Sequence, residues 1–154
     1  DLHLSIRRQR QMCIRDSVYQ AGTYSGNPVS ESAALATLEM IEREGDRIYS
    51  RLRRIASEIE DEVLRIIVER RIRAFVSRFE GMLQIFITRG PVKSYSEVSK
   101  SDLSTYSRLH RELMIKGVFI PPSQMETWFP SYAHTDKDLS ETLEALRSAL
   151  VGIS

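Results

Sequence analysis

The chain has 154 residues, of which 42% are hydrophobic and 28% are charged, a composition typical of one ordinary globular domain rather than a disordered or fibrous segment. Its 22 Lys and Arg residues nearly balance 21 acidic residues, so the net charge of +1 gives no general case for a nucleic-acid or membrane partner. The single cysteine, Cys13, excludes an internal disulfide framework, and no apolar run approaches the roughly 20 residues of a membrane span, so we expect a cytoplasmic protein.

The first 17 residues, Asp1–Ser17, show neither apolar periodicity nor turn chemistry. Their later part, Gln11–Ser17, resembles a translated sequencing adapter. A basic arm that binds phosphate backbones is the alternative, but charge runs are usually solvated surface. We therefore expect residues 1–17 to be non-native sequence.

A glycine-bearing loop, Gly22–Pro28, predicts a turn followed by a helix. Asn27 and then Pro28 are the usual chemistry of an N-cap and the first helical residue, so we expect a helix to begin near Pro28. Glycine permits close backbone approach, Thr23 and Ser25 offer hydroxyl donors, and a helix N-terminus favours an anion. The loop suits a phosphate on these grounds, and an ordinary capped turn is the alternative.

Two helices are predicted before residue 71. The first, Val29–Ile41, is rich in Ser and Ala, so its backbone can lie close against a neighbouring element. Gly45 is expected to separate it from a long second helix. Apolar residues in that second helix recur at spacings of three or four and predict one buried stripe; they are Ile48, Leu52, Ile55, Ile59, Val63 and either Ile66 or Ile67.

Short strands are predicted after the long helix, at Ile72–Val76, Met82–Ile87 and Val118–Ile120. An amphipathic helix should lie between the second and third strands and end at Gly117. The order of elements predicts an α/β or α+β domain, with helices packed on a small, mainly antiparallel sheet.

A variant of the capping box, in which Asp138 follows Thr135 by three residues, predicts the start of the last helix.

The three histidines are not spaced as metal ligands usually are, so we expect no metal site. Glu126 lies beside Trp128 in a proline-flanked loop, and it is either a functional carboxylate near an aromatic wall or a solvated loop acid.

Four motifs in order resemble the glutamate-1-semialdehyde 2,1-aminomutases, a family of class III pyridoxal-phosphate-dependent aminotransferases. The first and third motifs are the most specific to this family. The motifs are Val18–Pro28 (VYQAGTYSGNP), Gly90–Val92 (GPV), Pro122–Glu126 (PSQME) and Ala133–Thr135 (AHT).

The resemblance implies the C-terminal domain of the type I pyridoxal-phosphate transferase fold. Residues 18–40 would be the tail of the large cofactor domain and its connecting helix, and residues 41–154 the small domain. The family is a homodimeric isomerase that converts glutamate-1-semialdehyde to 5-aminolevulinate in tetrapyrrole (haem and chlorophyll) synthesis, with pyridoxal phosphate as its cofactor.

The resemblance also implies roles for individual residues. Gly22 and Thr23 would bind the cofactor phosphate of the neighbouring subunit, Tyr19 would lie near that site, and Glu126 would face the substrate region. The family's Schiff-base lysine lies upstream of this chain, so no catalytic residue is assigned here and the chain alone is expected to be inactive.

Three departures from the family pattern keep other functions open. Tyr24 stands where Leu is common, Ser30-Glu31 replaces small or apolar residues, and Thr127-Trp128 replaces smaller residues after the glutamate. A bulky Trp128 could narrow the pocket, so a class III ω-aminotransferase is the first alternative. A non-catalytic interaction domain is the second.

Overall fold

The structure, a computed structural model, describes residues 22–153 and divides the chain into two units that meet between Arg43 and Glu44. Helix α1 (Pro28–Arg70) begins in the first unit and ends in the second. The second unit also contains two strands and three helices. They are β1 (Phe75–Phe79), β2 (Met82–Phe86), α2 (Tyr95–Val98), α3 (Leu103–Ile115) and α4 (Asp136–Ile153).

In the first unit, residues 22–27 form a turn and residues 28–43 are helical. The helix begins at Pro28 as predicted. Most of its large apolar side chains are exposed, with Val29 at 77% and Leu38 at 64%. An exposed apolar helix face of this kind is suited to packing against another protein surface.

Gly45 does not end the helix, contrary to the sequence prediction, because α1 runs unbroken to Arg70. One glycine inside a helix costs only about 1 kcal/mol relative to alanine, which the buried stripe that follows can offset. The next residue, Arg71, has a φ of +54°, and Ile72 N–H donates to the Ile67 carbonyl at 3.1 Å. This i→i−5 bond after a left-handed residue is the Schellman type of helix end.

The two strands form an antiparallel hairpin in which Val76 pairs with Ile85 and Ser77 with Gln84. Trp128 extends this sheet by one residue: its N–H donates to the Leu83 carbonyl at 2.8 Å, and Leu83 N–H donates back at 3.2 Å. The predicted helices on a small antiparallel sheet are therefore confirmed.

No strand forms at Val118–Ile120, so that prediction is wrong. Gly117 has a φ of +81°, and Val118 N–H donates to the Leu113 carbonyl to close the end of α3. The backbone donor of Val118 is therefore used by the helix, and the prolines that follow Ile120 have no N–H for a sheet. Gly117 ends α3 as predicted.

The core of the second unit lies between α1, the hairpin, α3 and α4. It contains the predicted stripe of α1 from Ile55 onward and the apolar faces of both later helices. Its most completely buried aliphatic side chains are Val63, Leu83, Ile85, Leu109, Leu113, Leu146 and Leu150.

A buried carboxylate joins α1 to α4. Glu62 is 7% exposed and accepts hydrogen bonds from Arg147, at 3.2 Å between Oε2 and Nη2 and through a second, shorter contact, and from Arg65. These arginines, Arg147 first, hold the pKa of Glu62 below its ordinary value.

No helix in residues 22–153 is both long and apolar enough to cross a membrane.

Candidate functional site

The turn before α1 is closed by two backbone hydrogen bonds. Ser25 N–H donates to the Gly22 carbonyl at 2.9 Å, and Asn27 N–H donates to the Tyr24 carbonyl at 3.0 Å. A Cβ on Gly22 would lie 3.0 Å from Ser25 Oγ, which leaves little room for a side chain. Thr23 is exposed, so its hydroxyl is open to a bound group. The structure thus places Gly22 and Thr23 together in a tight turn directly before a helix.

The first N–H groups of α1 already have partners. Asn27 Oδ1 accepts from Val29 N at 3.0 Å and from Ser30 N at 3.2 Å, and the next N–H bonds to the Asn27 carbonyl. Pro28 has no N–H to offer. The first N–H groups of the helix therefore leave its dipole, but no free donor, for an anion at this turn, and the exposed Thr23 offers a hydroxyl for a direct bond.

The turn provides only part of what a phosphate site needs, because it offers hydrogen bonding and a helix dipole but no positive charge. The segment Gly22–Ser30 contains neither lysine nor arginine. A phosphate dianion held by one hydroxyl and a helix dipole keeps most of its charge uncompensated. Cationic groups from another part of the protein, or from another subunit, have to complete such a site.

Tyr19 lies outside the described residues, as do residues 1–17 and the start of the first motif. The role expected for Tyr19 therefore stays a prediction.

Glu126 is exposed in the loop of residues 121–127, which precedes the Trp128 pairing. Two hydrogen bonds to Ser123 shape this loop: Glu126 N–H donates to its carbonyl and Met125 N–H to its hydroxyl, each at 3.1 Å. The turn around Ser123 fixes the backbone on which the Glu126 carboxylate is carried.

The same loop is tied to the core at both ends and in the middle. Tyr106 Oη donates to the Pro121 carbonyl at 3.0 Å, and Ile87 N–H donates to Gln124 Oε1 at 3.1 Å. The third attachment is the backbone pairing of Trp128 described above. A carboxylate on a loop held in this way is positioned by the folded domain rather than by its own flexible connections.

Trp128 belongs to the core, where it is 6% exposed and donates its indole N–H to Tyr106 Oη at 3.2 Å. Burial raises the pKa of Tyr106, and the negative charge of Glu126 acts in the same direction, against the hydrogen-bonding effects of Trp128 and Gln84. The phenol therefore remains protonated near neutral pH and keeps its bond to the loop. The bulk of Trp128 fills the core and is not part of the exposed loop around Glu126.

None of the chain's lysines lies in a desolvated environment. The four lysines are all exposed; they are Lys93, Lys100, Lys116 and Lys137. A lysine that forms a covalent bond to a carbonyl is usually activated by burial or by a neighbouring cation. In residues 22–153 there is also no cluster of His, Cys, Asp and Glu that could hold a metal ion.

Sequence reasoning did not single out the side chains that tie down the loop. Gln124 is one polar residue in a turn-rich segment, and its partner lies 37 residues away in the chain. Tyr106 lies on the buried face of α3, and the apolar periodicity of that helix accounts for its ring but not for the bonds of its hydroxyl.

No family model matches the chain. Three curated relatives are glutamate-1-semialdehyde 2,1-aminomutases. The protein from Methanopyrus kandleri is 44% identical over 135 residues, which are 86% of this chain and 30% of the relative. The proteins from Desulfatibacillum aliphaticivorans and Thermomicrobium roseum are 38% and 37% identical over 86% and 94% of this chain, or 31% and 33% of their own lengths.

Solved structures agree on the fold. A glutamate-1-semialdehyde aminomutase from Pseudomonas aeruginosa PAO1 matches 98% of this chain with a TM-score of 0.76 and 19% identity, over 34% of its own length. An omega-transaminase from Sphaerobacter thermophilus matches 88% with a TM-score of 0.67 and 22% identity, over 30% of its own length. The chain spans about a third of the length of the curated relatives that it matches. Over most of its length the chain is similar in sequence to about a third of these glutamate-1-semialdehyde 2,1-aminomutases, and it shares the fold of the matching part of the solved structures.

Proposed function

We propose that the chain is the C-terminal part of a pyridoxal-phosphate-dependent isomerase that converts glutamate-1-semialdehyde to 5-aminolevulinate. The observation that carries this proposal is the 44% identity with the Methanopyrus kandleri aminomutase over 135 residues. The fold shared with a solved aminomutase supports it. In this proposal residues 18–40 are the tail of the large domain with its connecting helix, and residues 41–154 are the small domain.

Gly22 and Thr23 bind the cofactor phosphate in this proposal. Support comes from the tight turn, the exposed Thr23 hydroxyl and the dipole of α1 behind it. The segment has no cationic side chain, so the rest of the phosphate site lies elsewhere in the assembly. A homodimer in which this turn reaches the neighbouring subunit's cofactor meets that requirement.

When bound, pyridoxal phosphate supplies an electron sink for the transfer of an amino group. The residues of this chain bind and orient the reacting groups. Tyr19 lies near the phosphate, and Glu126 faces the substrate, where its carboxylate accepts hydrogen bonds from substrate amino groups. The four exposed lysines support a cofactor-binding lysine outside this chain, so the chain alone is inactive.

The isomerase serves tetrapyrrole synthesis in the cytoplasm in this proposal. The similarity to glutamate-1-semialdehyde 2,1-aminomutases supports this part of the proposal.

The experiment is a product assay of the full-length protein with glutamate-1-semialdehyde and no external amino acceptor. We expect 5-aminolevulinate to form, and to form only when pyridoxal phosphate is present. Transfer of the amino group to an added keto acid, without isomerisation, would identify an ω-aminotransferase instead. A full-length protein that binds no cofactor would support an interaction domain.

A further inference from the structure

One buried hydroxyl group joins the two ends of the loop that carries Glu126. Tyr106 on α3 is 1% exposed, and its Oη donates to the Pro121 carbonyl at 3.0 Å. The same oxygen accepts from the Trp128 indole N–H at 3.2 Å. Pro121 begins the loop of residues 121–127, and Trp128 follows its last residue. The Tyr106 hydroxyl therefore sets the distance between the two ends of this loop.

Tyr106 itself cannot contact a substrate, because its side chain is almost completely buried. The side-chain amide of Gln84 also lies beside its hydroxyl, so the surroundings of this oxygen are groups of the folded domain. Any effect of the hydroxyl on a bound molecule has to pass through the groups that it bonds, and these belong to the Glu126 loop.

The segment that carries the Glu126 carboxylate is held on both sides. On one side Gln124 is bonded to the core, and on the other Trp128 pairs with β2 and bonds to Tyr106. Loss of the Tyr106 hydroxyl would leave the Pro121 carbonyl and the indole N–H without this partner. Both loop ends would then be held less firmly, whereas the attachment at Gln124 would remain.

We propose that Tyr106 is a positioning residue for the carboxylate of Glu126, because its hydroxyl holds together the two ends of the loop on which that carboxylate is carried. This inference rests on the proposed function, in which Glu126 faces the substrate. Its new content is that a residue buried in the core, without contact to the substrate, controls how well the substrate is bound and oriented.

NMR relaxation of the ¹⁵N-labelled 154-residue chain tests whether the hydroxyl holds the loop. Tyr106→Phe keeps the ring and removes the hydroxyl. We expect the order parameter of the Glu126 N–H to fall from about 0.85, typical of rigid backbone, toward the flexible range below about 0.6. The N–H of Leu146, a buried residue of α4, should keep its order parameter, because the loosening is confined to the loop.

A double-mutant cycle in the full-length enzyme tests whether Tyr106 acts through Glu126. Tyr106→Phe should lower kcat/KM for glutamate-1-semialdehyde about tenfold, less than the roughly 100-fold that a misplacement of about 1 Å can cost, because Gln124 still anchors the loop. In a Glu126→Ala background the same substitution should have no further effect. A merely structural role would give equal losses in both backgrounds. Tyr49→Phe, the same change at a half-exposed tyrosine of α1, is the matched control and should keep kcat/KM.

Three results would overturn the inference: an unchanged order parameter at Glu126, an unchanged kcat/KM in Tyr106→Phe, or equal losses in the two backgrounds. Failure of the proposed function looks different, since the unmodified enzyme would then form no 5-aminolevulinate, or Glu126→Ala would keep full activity. Either outcome would overturn the substrate role of Tyr106 as well, while the order parameter would still decide whether its hydroxyl holds the loop. If Tyr106→Phe fails to fold, Trp128→Phe removes the bond at one loop end and serves in the same measurements.

Discussion

Asp102 caps α3 through three hydrogen bonds. It accepts from Thr105 N–H at 3.0 Å, from the Thr105 hydroxyl at 2.7 Å and from the Ser104 hydroxyl at 2.8 Å. These donors, the Thr105 N–H first, lower the pKa of Asp102 from 3.8 to about 2. Because the pKa is lower in the folded state, the cap stabilises the fold fully above the unfolded value of 3.8 and loses that contribution as the pH falls through about 2.

We predict that a carboxyl ¹³C NMR titration of the folded chain gives Asp102 a pKa of about 2, well below its ordinary value of 3.8. Asp102→Asn keeps a capping oxygen and has no proton to titrate, so its stability should depend less on pH in the acid range than that of the unmodified chain. A measured pKa close to 3.8 would show that the three donors do not hold the ionised carboxylate.

Gln124 combines complete burial with a hydrogen bond to the backbone of Ile87. Gln124→Leu should destabilise the chain by about 1–3 kcal/mol, because it leaves a buried N–H without a partner. Urea denaturation measures this difference. The neighbouring Met125 is 46% exposed, and Met125→Ala should change stability by no more than about 0.5 kcal/mol. Equal effects of the two substitutions would remove Gln124 as an anchor of the loop.

Elements whose limits depend on local chemistry could be predicted from the sequence. Asn27 and Pro28 begin α1, Gly117 ends α3, and Thr135 with Asp138 begins α4, where Thr135 N–H and Asp138 Oδ2 lie 2.7 Å apart. Each of these signals acts within a few residues of the bond that it forms. These helix limits were accessible to sequence reasoning for this reason.

Two predictions were wrong, a helix break at Gly45 and a strand at Val118–Ile120. In both places the local sequence signal was overridden by contacts made elsewhere in the fold. Gly45 looks like a break, but the continuous apolar stripe after it keeps α1 helical. Val118–Ile120 looks like a strand, but the end of α3 takes the Val118 N–H, and Trp128 takes the place beside Leu83. Helix α2 has no buried residue, so it has no apolar period that would predict it.

Gly81 lies where the hairpin turn meets α1 within the second unit. A Cβ at this position would lie 2.7 Å from Leu52 Cβ and 3.3 Å from the Leu52 carbonyl carbon, atoms that cannot move without the helix. Gly81→Ala should therefore destabilise the chain by about 1–3 kcal/mol through overpacking. Thermal or urea unfolding measures the change.

Gly152 in the last turn of α4 is the matched control, since a Cβ there meets nothing within 4 Å. Gly152→Ala should leave stability unchanged or raise it by about 0.4–1 kcal/mol, because alanine reduces the freedom of the unfolded chain. If Gly81→Ala were equally harmless, the hairpin would not rest on α1 as closely as the structure has it.

At the scale of the whole molecule, the candidate site could be predicted only as separate pieces. Gly22, Thr23, Tyr19 and Glu126 were named through a family resemblance, and their roles remain proposals. The anchors of the Glu126 loop could not be named because their partners are set by the fold. The sequence also suggested that the first N–H groups of α1 could bind an anion. In the structure two of them, those of Val29 and Ser30, donate to the Asn27 side chain instead.

Thr23 gives the proposed dimer a direct test in the full-length enzyme. Thr23→Val keeps the branched shape and removes one charge-assisted hydrogen bond to the cofactor phosphate, worth about 1.5–3 kcal/mol. Cofactor affinity should fall by about 10- to 150-fold, measured by absorbance titration with pyridoxal phosphate. Unchanged affinity would remove Thr23 from the phosphate site.

A heterodimer of a Thr23→Val subunit and a subunit without the cofactor-binding lysine separates the two possible arrangements. If Thr23 reaches across the dimer, the one site that keeps its lysine has an unmodified Thr23 and should bind the cofactor with near-normal affinity. If Thr23 acts within its own subunit, that site should be weakened.

The central claim, that this chain is a working C-terminal part of an aminomutase, is tested most directly by a chimera. In the Methanopyrus kandleri enzyme, the matched segment of 135 residues is replaced by the part of this chain that matches it, with the matching Thermomicrobium roseum segment as a control chimera. Formation of 5-aminolevulinate from glutamate-1-semialdehyde is then measured. We predict that both chimeras bind pyridoxal phosphate and form 5-aminolevulinate; a chimera with this chain that binds the cofactor but forms no product, beside an active control, would contradict the claim.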